Sequence, residues 1–425
     1  MSFGSQVMKL CRAPQSCFVL LLLCCSRPDP QLADLLPQED REGFGPVRPG
    51  IEVLLEDSIH LVSGRRVGLI TNQTGVDASG RSTIDRLHEH PGVDLVALFA
   101  PEHGIRGTAD PGELIADDVD RDTRLPIHSL YGSVRTPTPA MLDEVDVLLV
   151  DLQDIGARYW TYPSTMTLAM EATAEHGIPI VILDRPNPIG GAVQGNVLDA
   201  AFGTFVGRYP IAMRHGMTLG ELARYYQSEA GIGGELHVAP VDGWHRELSF
   251  AETGLPWIRP SPNMPDVESA THYPGTCLFE GTVLSVARGT DAPFQQIGAP
   301  WLDGEALAAR MNGYGLPGVR FEPVEFVPES PSDGKFDGVA VQGVRLVATS
   351  AEYDPTHAAI ALLVETHRMS GARWGWLDAH FDRLAGTDLL RQAIEAGAGV
   401  DEIRSGWREE LAVFTQVREQ YLIYP

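Results

Sequence analysis

Glu102, His103 and Arg106 fall within one short stretch, Ala100-Pro101-Glu102-His103-Gly104-Ile105-Arg106-Gly107. A carboxyl group, an imidazole and a guanidinium so close in the chain can donate a proton, accept one, or pair with an anion. The apolar run Asp94-Leu95-Val96-Ala97-Leu98-Phe99 leads into them. A short continuous apolar run bounded by turn residues suits a strand buried on both faces. Pro101 ends that strand, and two glycines bend the loop that follows. The three side chains therefore stand at the carboxyl end of a core strand, where open α/β sheets bind their ligands.

Other elements end in the same way. Arg66–Ile70 reads as a strand that runs into Thr71-Asn72-Gln73-Thr74-Gly75. Val145–Val150 is a strand that runs into Asp151-Leu152-Gln153-Asp154-Ile155-Gly156-Ala157-Arg158-Tyr159-Trp160-Thr161-Tyr162. Ile180–Leu183 is followed by Asp184-Arg185-Pro186-Asn187-Pro188, and Arg214-His215-Gly216 precedes a helix opened by the capping pair Thr218 and Glu221. Helices are expected at Ser82–Glu89, at Pro139–Glu144 with Thr138 as cap, at Met166–His176 and from Thr218 to Glu229. Strands alternating with helices imply an α/β fold with a mostly parallel sheet, helices on both faces. Polar residues at successive junctions predict that Asn72, Glu102, Asp151, Arg158 and Asn187 converge on one cleft.

From Pro256 the pattern changes. Pro256-Trp257-Ile258-Arg259-Pro260-Ser261-Pro262-Asn263-Met264-Pro265 is too rich in proline for a helix or a central strand. Residues 256–300 read as a crossing segment. From Trp301 a smaller α/β unit is expected, with a strand at Val339–Val347 and helices near Glu305–Met311, Thr356–His367, Thr387–Ala396 and Asp401–Gln420. Trp374 and Trp376 read as core rather than as a sugar platform.

Net charge is −25 over 425 residues, and the only lysines are Lys9 and Lys335. Such a chain repels phosphate backbones, which excludes nucleic acid as a partner. No glycine-rich dinucleotide fingerprint or Walker loop follows the first strand, and there is no nucleophile elbow or zincin motif. Cysteines 11, 17, 24 and 25 lie near the N-terminus and leave Cys277 alone in the body, so neither a disulfide framework nor a paired-cysteine metal site is expected. His103, His215 and His272 lack diagnostic ligand spacing and read as hydrogen-bonded histidines; no metal and no cofactor is expected. Lys9 and Arg12 precede the apolar Phe18–Leu23 and then Cys24-Cys25, the pattern of an export leader over residues 1–25. A lipid on Cys24 or Cys25 would attach the chain to a membrane. Residues 26–50 read as a tether, and the globular part as 51–255 followed by 256–300 and 301–425.

Six motifs, in order, resemble one family. They are Thr71-Asn-Gln-Thr-Gly75, Pro101-Glu-His-Gly104, Asp151-Leu-Gln-Asp-Ile-Gly-Ala-Arg-Tyr159, Asp184-Arg-Pro-Asn-Pro188, Pro260-Ser-Pro-Asn-Met-Pro265 and Phe279-Glu-Gly-Thr282. From Ile51 to Pro425 the chain is similar to the NamZ-type exo-β-N-acetylmuramidases. The resemblance implies a Rossmann-like catalytic domain followed by a smaller C-terminal α/β domain, with the active site in the cleft between them and residues 256–300 lining it. It implies release of N-acetylmuramic acid from the non-reducing end of peptidoglycan fragments, outside the cytoplasm. Muramyl saccharides would be the partners.

Glycoside hydrolysis ordinarily needs two carboxyl groups. Glu102 is the expected acid, although His103 or Arg106 beside it would favour its ionised form. Glu171 is the expected second carboxylate, its bland alternative being a salt bridge with a buried arginine; Asp151, Asp154 and Glu280 are alternatives. Attack by the substrate's own acetamido group would need only one acid and an orienting carboxylate. His103 completes the catalytic candidates. The lactyl carboxylate of muramic acid calls for arginine, and Arg158, Arg208, Arg214 and Arg288 stand in suitable motifs. Tyr159, Trp160 and Tyr162 either stack on sugar or pack in the core. Asn72, Asp151, Asn187, His215, Asn263 and Glu280 are further binding candidates. The rival readings are a non-catalytic wall-binding lipoprotein and a glycosidase acting on another amino sugar.

Overall fold

A computed structural model describes residues 46–107, 109–110 and 112–425. The expected leader with Cys24 and Cys25, and most of the tether, lie outside them. The first domain is built on a seven-stranded sheet. Its strands are β1 (Arg66–Thr71), β2 (Asp94–Ala100), β3 (Asp118–Val119), β4 (Pro126–Ser129), β5 (Val147–Asp151), β6 (Ile180–Leu183) and, after a separate hairpin of β7 (Gln194–Val197) and β8 (Ala212–Arg214), β9 (Leu236–Ala239). The spatial order is β3-β4-β2-β1-β5-β6-β9, parallel throughout except for the short edge pair β3–β4. All five residues of β5 are buried, as its unbroken apolar run requires in a sheet covered on both faces. Helices α1 (Gly50–Asp57), α2 (Thr83–His88), α3 (Pro139–Leu142), α4 (Thr161–His176) and α5 (Leu219–Glu229) belong to this domain. Ser82, Thr138 and Thr218 cap α2, α3 and α5.

The second domain holds an antiparallel sheet of three strands in the order β10 (Gln296–Ala299), β12 (Val341–Ala348), β11 (Val319–Phe326). Helices α6 (Val267–Thr276) and α8 (Pro355–Ser370) pack on each other, and α7 (Gly304–Gly313) packs on the sheet and on α8. Four more helices follow: α9 (Asp378–Ala385), α10 (Leu389–Glu395), α11 (Val400–Ser405) and α12 (Arg408–Arg418).

The structure departs from the expected elements in four places. Helix α4 starts at Thr161 rather than Met166; Pro163 falls in its first turn, where the missing amide hydrogen has no intrahelical partner anyway. Helix α6 runs through Pro274, within residues 256–300, which were read as a crossing segment with no helix assigned. The single helix expected over Asp401–Gln420 is two, broken at Gly406 and Trp407. The tether does not extend to residue 50. Val47 is buried with Val241, Trp244 and Tyr424, and Arg48 pairs with Asp242 at 2.9 Å. Tyr424 also donates its hydroxyl to Asp184 at 2.6 Å, so the last residues fold back onto the first domain.

Arg158 fastens the two domains together. It is buried, and its Nη1 donates to the carbonyls of Asn196 (2.8 Å) and Ile211 (3.2 Å) in the β7–β8 hairpin region. Its Nη2 donates to the carbonyls of Leu384 (3.1 Å) and Ala385 (2.8 Å), the last turn of α9. Helix C-terminal carbonyls carry partial negative charge and suit a cation. Gly386 follows with φ 71°, and a Cβ there would lie 3.0 Å from Arg158 Nη2, so a side chain is excluded on both counts. Replacing Arg158 by methionine leaves these buried carbonyls without their donor. We expect unfolding free energy to fall by about 2–3 kcal/mol, seen as a lower urea midpoint. An unchanged midpoint would mean that water replaces the guanidinium.

Candidate active site

A cleft of about 650 Å³, partly open to solvent, lies where the two domains meet. The first domain contributes Glu102, His103, Tyr159, Trp160, Thr161 and Val206 to its wall. Asn263, Met264, Tyr273, Cys277, Glu280, Arg288 and Phe294 come from the segment after the first sheet, and His380 and Leu384 from α9. The aromatic side is built by edge-on packing, with Trp160 against Tyr273 at 5.7 Å and Tyr273 against Phe294 at 4.7 Å. His103 and Phe294 hold left-handed backbones at φ 71° and 65°, and Ala287, next to Arg288, does so at 59°. Non-glycine residues in that region are strained, and such strain gathers at sites that must be shaped for a ligand.

Glu102 is buried and held by uncharged donors. The early start of α4 brings the Thr161 hydroxyl onto Oε2 at 2.7 Å, and the Gly112 amide donates to Oε1 at 3.0 Å. The Tyr131 hydroxyl completes the set. Burial, and then the charge and hydrogen bond of Glu102, push that phenol up to about 12, so it stays a donor. Both neighbouring basic side chains are engaged elsewhere. Arg106 is turned to Asp120 (2.6 Å) and Asp122 (3.3 Å), and His103 Nδ1 bonds the Ala109 carbonyl at 2.8 Å.

Glu280 has the opposite surroundings. It stands on a single 3₁₀ turn, Cys277–Gly281, and its Oε1 accepts from Arg288 Nε at 2.7 Å and Nη2 at 2.5 Å. Burial works against its charge, but Arg288 outweighs burial and holds the carboxyl below the usual range. The turn itself is fixed by Lys335, whose Nζ donates to the carbonyls of Phe279 (3.3 Å), Glu280 (3.2 Å) and Leu284 (2.9 Å). Helix α9 lies directly over it: a Cβ on Gly281 would be 2.4 Å from Phe381 Cα. Arg288 also donates to Ser332 Oγ at 3.2 Å, and Asn263 Nδ2 donates to the same oxygen at 3.4 Å.

The expected convergence of strand-end residues on the cleft surface holds for Glu102 alone. The others form a hydrogen-bonded layer beneath the cleft wall. Asn72 donates to Tyr162 Oη at 2.7 Å, and Tyr162 donates to the Pro260 carbonyl at 2.6 Å, so that ring is core and not a sugar platform. Asp151 is fully buried against Arg185 (2.5 Å) and Thr83 Oγ1 (2.5 Å). Asn187 donates to the Met217 carbonyl at 2.9 Å. His215 Nε2 lies 3.3 Å from Asp154, and Met217 N donates to its Nδ1. His272 meets Tyr353 Oη at 2.8 Å, and among the described residues no cluster of ligand-type side chains could hold a metal. Glu171 is not across the cleft from Glu102. It accepts from Arg208 at 2.7 and 3.0 Å and from Tyr209 Oη at 2.5 Å, the structural ion pair that was its alternative reading. Arg214 is spent on Gln194 Oε1 (2.9 Å) and the Ile189 carbonyl, and burial lowers it to about 10. Of the four arginines expected to meet substrate, Arg288 alone lines the cleft.

Two carboxyl groups, one from each side of an aromatic-walled cleft, are the equipment of a glycosidase. The sequence matches the family described as exo-β-N-acetylmuramidase NamZ in both its parts, the N-terminal one over residues 67–268 and the C-terminal one over 271–424. The chain belongs to the NamZ family. It is 42% identical over 381 residues to the peptidoglycan β-N-acetylmuramidase NamZ of Bacillus subtilis (strain 168), covering 89% of this chain and 91% of that one. Two crystal structures of DUF1343 family proteins from Bacteroides fragilis share the fold. One has a TM-score of 0.83 at 37% identity and the other 0.71 at 32%; each match covers 89% of this chain and 99% of the other. The chain is thus an exo-β-N-acetylmuramidase by family, and a glycosidase.

Of the residues that line the cleft or bond Glu102, sequence reasoning passed over Thr161, Tyr131 and His380. Thr161 was hidden by the late helix start. His380 sits on α9, whose Phe381, Leu384 and Ala385 are buried at helical spacing, a signal present but short. The Glu280–Arg288 pair has a pH signature. Because the folded carboxyl lies below its ordinary value of 4.5, the pair's stabilisation is present above that pH and is lost as pH falls through the lower folded value. Arg288→Met should therefore lower the melting temperature at pH 7, and the gap to wild type should narrow below about pH 4.5. A gap of constant size from pH 7 to pH 3.5 would show that the ion pair does not contribute.

Proposed function

We propose that this protein removes N-acetylmuramic acid from the non-reducing end of peptidoglycan fragments, with Glu102 as the proton donor and Glu280 as the ionised partner. The observation that carries this reading is the contrast between the two carboxyl groups. Glu102 is bound by hydroxyl and amide donors and by no cation. Glu280 is bound by a guanidinium. A carboxyl group held by hydroxyl and amide donors suits the part of proton donor, and one held by a guanidinium suits the part of the anion. The glycosidic oxygen of the leaving sugar takes its proton from Glu102 as the bond breaks. Glu280 faces the sugar as an anion, where it stabilises positive charge growing at the anomeric carbon and orients the attacking group. Tyr159 and Trp160 supply the apolar surface for the sugar ring. Tyr159 is held in place by donating to the Pro274 carbonyl at 2.6 Å.

The substrate of such an enzyme lies beyond the cytoplasmic membrane. The basic and apolar leader fits export, with a lipid on Cys24 or Cys25 as the attachment, and the −25 charge argues against nucleic acid as a partner.

The test uses a β-linked N-acetylmuramyl-N-acetylglucosamine disaccharide, in which the leaving group is an ordinary alkoxide. Wild type should liberate free N-acetylmuramic acid, and a chromogenic β-muramide should be cleaved in preference to the matching glucosaminide. Glu102→Gln should lower kcat on the disaccharide by roughly 10²–10⁴-fold with the fold intact. Turnover within a few-fold of wild type would remove Glu102 from the role of acid.

A further inference from the structure

Helix α9 puts His380 on the cleft wall, and neither the sequence motifs nor the reaction above makes use of it. Its Nδ1 accepts from Nη2 of Arg383, one turn along the same helix. A ring nitrogen that accepts carries no proton, so the proton of the neutral ring is on Nε2. Burial and then the charge of Arg383 lower the pKa of this imidazole, which keeps it neutral at neutral pH. Arg383 has no carboxylate partner among the described residues. Its charge is also felt at Tyr131, which bonds Glu102, so this cation acts on the cleft that holds the proposed acid.

The charges that act on His380 are Arg383, Lys335 and Arg288 against one carboxylate, Glu280. This wall is locally cationic in a chain of net charge −25. A neutral N–H backed by a guanidinium, in such surroundings, favours an anionic oxygen over a hydroxyl. N-acetylmuramic acid has a single anionic group, the carboxylate of its lactyl ether. The arginines first expected to meet it are engaged elsewhere: Arg158 with carbonyls, Arg208 with Glu171, Arg214 with Gln194 and Arg288 with Glu280.

We infer that His380 receives the substrate's lactyl carboxylate on its Nε2–H, and that Arg383 is the positioning residue that fixes the ring's tautomer. The inference rests on the muramic acid reading of the same cleft.

The experiment compares inhibition by N-acetylmuramic acid with inhibition by its lactyl methyl ester, alongside turnover of a chromogenic muramide. Wild type, His380→Phe, His380→Gln and Arg383→Leu are used, each checked by thermal unfolding. Wild type should prefer the acid to the ester by about tenfold or more. In His380→Phe the preference should fall to within about twofold, and Arg383→Leu should lie between. His380→Gln, whose amide carries an N–H to a similar place, should recover part of it. A purely structural role for either residue would not move this ratio. Should His380→Phe fail to fold, His380→Gln and Arg383→Leu decide the matter in the same way. Folded variants that keep the wild-type preference overturn the inference and leave the muramic acid reading standing, as does a wild type indifferent to the ester. A wild type that turns over no muramide at all overturns both.

Discussion

A guanidinium without a carboxylate stands at the junction of the two domains, and the site depends on it. Arg158 is buried, and its partners are carbonyl oxygens from the hairpin of the first domain and from the end of α9 in the second. Burying a lone charge is costly unless dipoles surround it. Here the partners are arranged so that neither domain alone supplies them all. Burial still lowers the guanidinium to about 10, which leaves it charged at neutral pH. That contact closes on the end of α9, the helix that brings His380 and Leu384 to the cleft wall. The residue first read as a ligand for an anion is instead what holds the anion's proposed wall in place.

The two carboxyl groups of the cleft have unlike surroundings. Glu102 comes after a core strand, and its oxygens meet an amide, a serine-like hydroxyl from Thr161 and a phenol. Glu280 comes on a tight turn and meets Arg288. Lys335 meets two of the turn's carbonyls, those of Phe279 and Glu280, and that of Leu284 just beyond it. In a chain that carries almost all its positive charge as arginine, that one described lysine is placed where a compact ammonium can meet several carbonyls at once.

The parallel sheet was legible because buried strands write themselves as apolar runs, as in Val147-Leu148-Leu149-Val150. The capping residues Thr138 and Thr218 were legible for local reasons as well. What the pattern could not separate was the layer a polar residue occupies. Asn72, Asp151 and Asn187 end strands just as Glu102 does, yet each is buried and bonded to another partner: Tyr162, Arg185 and the Met217 carbonyl. Sequence spacing reports which end of the sheet a residue reaches, not whether a neighbour reaches it first. Glu171 shows the same limit: its place on a helix was foreseen, but its partner Arg208 comes from a later loop. Short strands such as Asp118–Val119 and helix α9 were missed because pairing and packing, more than local preference, create them.

Val47 and Tyr424 share one apolar cluster with Val241 and Trp244. Topologically the folded body is therefore a closed loop, its two ends joined through side chains rather than through a peptide bond. The contact spans nearly the whole chain, so its closure entropy is set against the largest loop the molecule has. In mechanical terms, a pull on the segment that precedes Val47 is borne at this seam, by Arg48 on Asp242 and by the ring of Tyr424, before it reaches either carboxyl group.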